Sequence, residues 1–199
     1  KDKLKPRKAD LSSAMDPEKL ARDAVDLNLK LMRWRQAPAL HVDAISKSKI
    51  VLVGAGTLGC SVARTLLGWG VRNITFIDDG RVSFSNPARQ SLFTFEDCLD
   101  GGKPKARAAA ERLKAIVPDI NANYIEMRVP MPGHAVAESE RAEVLESIDA
   151  LEREIKNAEA VFLLTDTRES RWLPTLLCTA HNIQCSSLFI ILGDNICYL

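Results

Sequence analysis

Three glycines, Gly54, Gly56 and Gly59, have the spacing of a phosphate-binding turn. They stand between the apolar run 49–53 and a helical pattern, so the N–H groups and positive dipole end of that helix can face an anion. Asp78 comes 19 residues after Gly59, at the end of the next apolar run, where a carboxylate can accept hydrogen bonds from ribose hydroxyls. The sequence therefore predicts a nucleotide site, although this motif leaves open which nucleotide binds.

Two cationic side chains and a second carboxylate could reach the same place. Arg89 lies in the loop after the second apolar run, and Lys105 opens a helical pattern. An enzyme that splits ATP must neutralise three phosphates with fixed cations, whereas a dehydrogenase holds its dinucleotide mainly through backbone groups and the ribose acid. Asp166, after another apolar run, would be repelled by phosphate unless a cation lay between them, which predicts Mg²⁺. Its alternative role is to cap the helix that follows.

The apolar periodicity predicts the strands and helices that position these residues. Five strands are predicted, over residues 49–53, 73–78, 121–129, 160–164 and 187–192. Five helices are predicted, over residues 16–34, 57–68, 105–118, 137–157 and 169–182. This alternation predicts an α/β fold, a doubly wound, Rossmann-like parallel sheet with helices on both faces. In the usual strand order 3-2-1-4, the glycines, Asp78 and Asp166 converge on one crevice at the carboxyl ends of the strands.

Composition and charge narrow the function classes. With 199 residues, 46% of them hydrophobic, the chain can bury one core, and the net charge of +1 gives no electrostatic reason to expect nucleic acid as a partner. The five cysteines are unclustered, which favours a reducing, cytoplasmic setting over a disulfide framework or a zinc site. Polar residues interrupt the uncharged stretch 172–193, so we expect no membrane span. We predict a flexible basic lead-in over residues 1–15, a nucleotide-binding domain over 16–181 and a divergent tail over 182–199.

Five motifs, in the same order along the chain, give this sequence a resemblance to a known family. They are Gly54–Gly59, Asp78, Ser85–Gln90, Gly102–Lys105 and Thr165–Asp166. In this order they resemble the ubiquitin-like-protein activating enzymes and their bacterial sulfur-carrier relatives. Segments 24–35, 131–134 and 166–172 resemble more narrowly the branch that activates the ubiquitin-like autophagy modifiers. The likeness covers roughly residues 10–180.

The resemblance implies a role for each site residue. It implies that the nucleotide is held by Gly54, Gly56 and Gly59, its ribose by Asp78, its phosphates by Asn86, Arg89 and Lys105, and magnesium by Asp166. Members of the family also use an N-terminal arginine that is donated across a homodimer. The candidates are Arg33 and Arg35. Their alternative role is structural, since cations at the end of their helix offset the helix dipole.

The resemblance also implies a reaction. A modifier's C-terminal glycine carboxylate would attack the α-phosphate of Mg-ATP, giving an acyl-adenylate and pyrophosphate. A cysteine then takes the acyl group as a thioester and passes it to a conjugating enzyme. Residues 182–199 do not fit the family's pattern, so we expect this chain to lack the thioester cysteine and the sheet to be incomplete at its C-terminal side. Two other hypotheses remain open. The chain could be an NAD-dependent oxidoreductase, or an inactive fragment that only dimerises or binds partners.

Overall fold

A computed structural model describes residues 9–12 and 14–187 of the chain. The chain divides into two compact units, Lys1–Leu40 and His41–Leu199. In the part of the chain that the structure describes, the first unit contains one long helix and the second contains a five-stranded sheet. Of the strand expected over residues 187–192, the part from residue 188 onward falls outside the described residues.

The helix of the first unit, α1 (Pro17–Gln36), begins where its capping signals predict. The Asp16 carboxylate accepts a hydrogen bond from the Glu18 N–H at 3.2 Å, and Pro17 occupies the first helical position, where its missing N–H costs nothing. The helix ends at Gln36, two residues later than predicted, just before Pro38.

The second unit alternates strands and helices, as predicted. Its strands are β1 (Lys49–Val53), β2 (Asn73–Ile77), β3 (Asn121–Ile125), β4 (Ala160–Leu163) and β5 (Gln184–Ser187). Its helices are α2 (Val42–Lys47), α3 (Thr57–Gly68), α4 (Lys105–Ile116), α5 (Arg141–Lys156) and α6 (Glu169–Ala180). Short 3-10 turns occupy Phe95–Cys98 and Glu138–Glu140.

The strands form one parallel sheet in the order β3-β2-β1-β4-β5. The predicted Rossmann-like fold and the order 3-2-1-4 are therefore confirmed. Successive side chains of β1 point to opposite faces, so Leu52 packs with α3 and α4 while Val53 packs with α5 and α6. Both faces of the central strand are thus buried from Ile50 to Val53, which explains the unbroken apolar sequence of these four residues.

The second and fourth strands end one residue earlier than predicted, and two other strand predictions were wrong by more than that. The third strand ends at Ile125 rather than residue 129, although Met127 and Val129 beyond it still pack against the core formed by α5 and α6. The fifth strand begins at Gln184 rather than residue 187, because it pairs in register with β4 despite its polar sequence.

No helix in residues 9–12 and 14–187 is long and apolar enough to cross a membrane.

Gly59 is required for the packing of α3 against the turn that precedes it. A Cβ at this position would lie 2.2 Å from the Gly54 carbonyl oxygen, far inside van der Waals contact. Gly68, at the other end of the same helix, has no atom within 4 Å of the corresponding Cβ position. The two glycines therefore differ in steric surroundings within one helix.

We expect Gly59→Ala to lower the free energy of unfolding by about 1–3 kcal/mol, since the backbone must shift to accept the methyl group. Gly68→Ala is the matched control, and we expect it to be neutral or stabilising by a few tenths of a kcal/mol, roughly, because alanine loses less entropy in a helix. Urea unfolding of both variants measures the difference. Equal stabilities would contradict the packing role of Gly59.

Candidate nucleotide-binding site

A cavity of about 820 Å³ lies at the carboxyl ends of β1, β2 and β4. This is the edge at which a change of strand order creates a crevice. The structure brings seven of the predicted site residues to its walls: Gly54, Gly56, Asp78, Asn86, Arg89, Lys105 and Asp166. Their contacts with a ligand stay predictions, and their placement around one cavity is an observation.

The Asp78 carboxylate ties two backbone turns together at the floor of the cavity. One oxygen accepts from the Ala55 N–H at 2.6 Å, and the other accepts from the Gly80 N–H at 2.7 Å. Each carboxylate oxygen has a second lone pair. Asp78 can therefore accept a hydrogen bond from a ribose hydroxyl while still holding the glycine turn in shape.

The three glycines of the turn differ in their conformation and steric surroundings. Gly54 has a φ of +110°, which side-chain-bearing residues rarely adopt, and its position backs onto Leu164. Gly56 caps the start of α3, and a Cβ there would have no protein atom within 4 Å. Gly59 does not line the cavity, and its observed role is in the packing of α3 against the turn.

The start of α3 has the features of an anion site. Among the described residues no side chain caps this helix end, so the N–H groups of its first turn have no partner from a capping side chain. Arg89 lies over the same end, where its Nη1 donates to the Thr57 hydroxyl at 3.4 Å. A cation and a positive dipole end therefore face the same part of the cavity.

Asn86 shapes the loop that carries Arg89. Its side-chain oxygen accepts from the Ser83 N–H at 3.0 Å, and its carbonyl accepts from the backbone N–H groups of Arg89 and Gln90 at 2.9 and 2.8 Å. Asn86 is 6% exposed. The resemblance gave Asn86 a phosphate contact, and the structure adds a second role in fixing the Arg89 loop.

Lys105 is the first residue of α4. Its N–H donates to the Gly80 carbonyl at 2.8 Å, which joins the helix start to the turn held by Asp78. A Cβ on Gly80 would lie 2.9 Å from Asp78 Oδ1 and 3.4 Å from Lys105 Cδ. The Lys105 side chain therefore passes over Gly80 beside the Asp78 carboxylate, and Lys105 lines the cavity.

Asp166 lies on the opposite wall, three residues after β4, with an exposed carboxylate. The described residues contain no group of three or more acidic, histidine or cysteine side chains able to hold a metal. Magnesium is commonly bound by one or two carboxylates together with substrate phosphates and water. The chemistry of this wall therefore fits a magnesium ion that arrives with phosphate, with Asp166 as the protein ligand.

Sequence reasoning missed two residues that shape the cavity. Thr57 follows the glycine turn and accepts the hydrogen bond from Arg89. Arg171 is buried beside the Asp166 turn. The sequence could have indicated both residues by their positions. Thr57 is at the helix start beside the glycines, and Arg171 is five residues after Asp166.

Arg33 and Arg35 lie in the last turn of α1, in the first unit. Their side chains there can offset the helix dipole, which is the structural alternative to a catalytic role.

Three of the four cysteines that the structure describes are buried. Cys60, Cys98 and Cys178 are buried and reduced, and Cys185 is partly buried. Burial raises the pKa of the Cys60 thiol. Burial and the neighbouring Cys185 raise the pKa of the Cys178 thiol to about 12.

Curated relatives resemble this chain over most of its length. The ubiquitin-like modifier-activating enzyme atg7 of Dictyostelium discoideum is 55% identical over 183 residues, which are 92% of this chain and 26% of the relative. The human ubiquitin-like modifier-activating enzyme ATG7 is 55% identical over 174 residues, which are 86% of this chain and 25% of the relative. The chain thus spans about a quarter of the length of these relatives.

Solved structures share the fold at low sequence identity. The Escherichia coli tRNA N6-threonylcarbamoyladenosine dehydratase TcdA in complex with AMP has a TM-score of 0.61 and 20% identity, covering 78% of this chain and 55% of that one. Its complex with ATP has a TM-score of 0.59 and 19% identity, covering 83% and 60%. The ThiF family model matches residues 27–188. Because that match covers most of the sequence, the chain belongs to the ThiF family.

Proposed function

We propose that this chain is the ATP-binding, adenylating part of a ubiquitin-like modifier-activating enzyme that acts on ubiquitin-like autophagy modifiers. The observation that carries this proposal is the convergence of Arg89, Lys105 and Asp166 on the cavity behind the glycine turn. The names of the curated relatives give the same activity, and the related TcdA fold has been solved with ATP and with AMP.

The nucleotide would be bound along the carboxyl edge of the sheet. Asp78 accepts from the ribose, and the uncapped start of α3 with Gly56 meets the phosphates. Arg89 and Lys105 neutralise the outer phosphates from two different elements, the loop after β2 and the start of α4. Charge-assisted hydrogen bonds of this kind are among the strong ones in proteins.

The proposed reaction joins a modifier's C-terminal carboxylate to the α-phosphate of ATP and releases pyrophosphate. The carboxylate is ionised near neutral pH, so no general base is needed. The chain's contribution is to align the two reactants and to stabilise the charge that develops on the phosphates. Arg89 and Lys105 provide this stabilisation, and Arg35 is proposed to add a third cation across a homodimer.

Magnesium would supply further charge neutralisation between the phosphate oxygens and Asp166. The residues present fit this role because Asp166 is exposed on the cavity wall. The partners that follow from the proposal are the ubiquitin-like modifiers, the conjugating enzymes that receive them and a second copy of the chain, in the cytoplasm.

An NAD-dependent oxidoreductase would use the glycines and Asp78 equally well. It has no need for fixed cations from two separate elements, because a dinucleotide has no third phosphate. The positions of Arg89 and Lys105 therefore favour ATP over NAD.

We expect Arg89→Ala to weaken Mg-ATP binding by about 1.5–3 kcal/mol, the usual size of a charged hydrogen bond, while AMP binding changes little. The reason is that Arg89 lies over the start of α3, where we propose that the outer phosphates bind. Calorimetric titration of the wild-type chain and the variant with ATP, AMP and NAD measures the three affinities.

Arg64→Ala is the matched control, since Arg64 is an exposed arginine of α3 that does not line the cavity. We expect this variant to bind all three nucleotides like the wild type. Tight NAD binding that survives Arg89→Ala, with ATP bound no better than AMP, would overturn the adenylation proposal.

We also expect no thioester between the described cysteines and a ubiquitin-like modifier. Attack requires a thiolate, and Cys60, Cys98 and Cys178 are buried. Incubation with ATP and a modifier, followed by electrophoresis with and without a thiol reductant, tests this. A reductant-sensitive band that Cys185→Ala or a buried-cysteine variant removes would contradict the prediction.

A further inference from the structure

Arg171 is a mostly buried arginine on the same wall of the cavity as Asp166. It lies in the first turn of α6 and is 8% exposed. Its Nε donates to the Thr165 carbonyl at 2.9 Å, and its Nη2 donates to the same oxygen. The guanidinium therefore holds the backbone one residue before Asp166 in place through two charged hydrogen bonds.

Ser170 reinforces the same turn from the adjacent position. Its hydroxyl donates to Thr165 Oγ1 at 2.7 Å and lies 3.0 Å from both the hydroxyl and the carbonyl oxygen of Thr167. Residues on both sides of Asp166 are thus bonded to the start of α6. The exposed carboxylate of Asp166 projects from a backbone that is held at both ends.

The opposite side of the cavity has anchors of its own. The Gly54 N–H donates to the Ile77 carbonyl at 2.8 Å, and the Ala55 N–H donates to Asp78. These bonds would keep the glycine turn in place if the Asp166 turn moved. Loss of Arg171 should therefore affect the magnesium side of the site more than the ribose and phosphate side.

Burying a guanidinium costs free energy unless hydrogen bonds or an opposite charge compensate for its lost hydration. Burial lowers the pKa of Arg171, and the Asp166 charge opposes that shift. The charge of Arg171 is thus coupled to the carboxylate whose backbone it holds. An apolar side chain of similar volume would fill the space, yet it could neither hold the Thr165 carbonyl nor act on Asp166 electrostatically.

We propose that Arg171 is a positioning residue that fixes Asp166 for the magnesium ion of bound Mg-ATP. The inference rests on the proposed function, because it assumes that the cavity binds ATP with a metal. It adds a residue that need not touch the nucleotide or the metal and that acts through the Thr165 backbone.

The test compares the affinity for ATP with and without magnesium, by calorimetry in the presence of Mg²⁺ or of EDTA. Arg171→Met keeps most of the volume and removes the hydrogen bonds, whereas Arg171→Lys keeps the charge and one donor. Arg153→Met, at an exposed arginine of α5, is the matched control. Circular dichroism of each variant reports whether it is folded.

In the wild type and Arg153→Met we expect Mg²⁺ to raise the affinity for ATP. In Arg171→Met that gain should fall by about tenfold, the scale set by one charged hydrogen bond, while the affinity in EDTA changes little. Arg171→Lys should recover much of the gain. A purely structural role would lower both affinities together, and no recovery with lysine would be expected.

Ser170→Ala provides a second variant, which loosens the same turn without removing a charge. We expect a smaller loss in the same direction, and this measurement decides the matter if Arg171→Met does not fold. A full magnesium gain in Arg171→Met, or in Ser170→Ala in that case, would overturn the inference and leave the proposed function standing. Failure of the wild type to bind ATP would instead overturn the proposed function and, with it, the inference.

Discussion

The two hydrogen bonds of the Asp78 carboxylate are the interaction on which the site depends. They join the turn after β1 to the turn after β2, at 2.6 and 2.7 Å. The second of these turns also accepts the N–H of Lys105 through the Gly80 carbonyl. One acidic side chain therefore fixes the glycine turn relative to the turn after β2 and, through Gly80, relative to the start of α4. A substitution here would disturb several functional parts at once, so it would say little about which nucleotide binds.

The sheet imposes the next constraint. Because β2 and β4 flank β1 in a parallel sheet, the segments that follow all three strands emerge at the same edge. The glycine turn, Asp78 and Asp166 are consequently neighbours although 112 residues separate Gly54 from Asp166. The helix starts that follow add N–H groups and cations to that edge. Ligand chemistry is thus concentrated where the topology leaves a crevice, while the two packed faces need only apolar volume.

Sequence reasoning reached the parts of the fold that rest on local signals. The run 49–53, the glycines and the helical pattern after them define β1, its turn and α3 almost to the residue. The predicted bounds were wrong where buried residues are not part of a strand, or where strand residues are not apolar. Met127 and Val129 continue an apolar alternation after β3 has ended, because Met127 is partly buried and Val129 is buried although neither belongs to a strand. The polar β5 carries little apolar signal and is fixed by its register with β4.

The sequence predicted where the site residues lie in the fold better than it predicted the contacts that each of them makes. The topology placed Asp78 and Asp166 at one crevice, and the cations followed from the chemistry of phosphate. Spacing alone could not show that Gly59 packs against the Gly54 carbonyl rather than facing a ligand. It also could not identify Arg171, because arginines are usually found at the surface and its partner is a backbone carbonyl.

The central claim is that the cavity behind the glycine turn binds ATP. The most direct test is a titration of the ¹⁵N-labelled chain with Mg-ATP, followed by backbone NMR. The account predicts saturable shifts that are largest at Gly54, Gly56, Arg89, Lys105 and Asp166, on elements far apart in sequence that meet at one edge of the sheet. Saturable shifts confined to another surface, or no shifts with Mg-ATP in large excess, would contradict it.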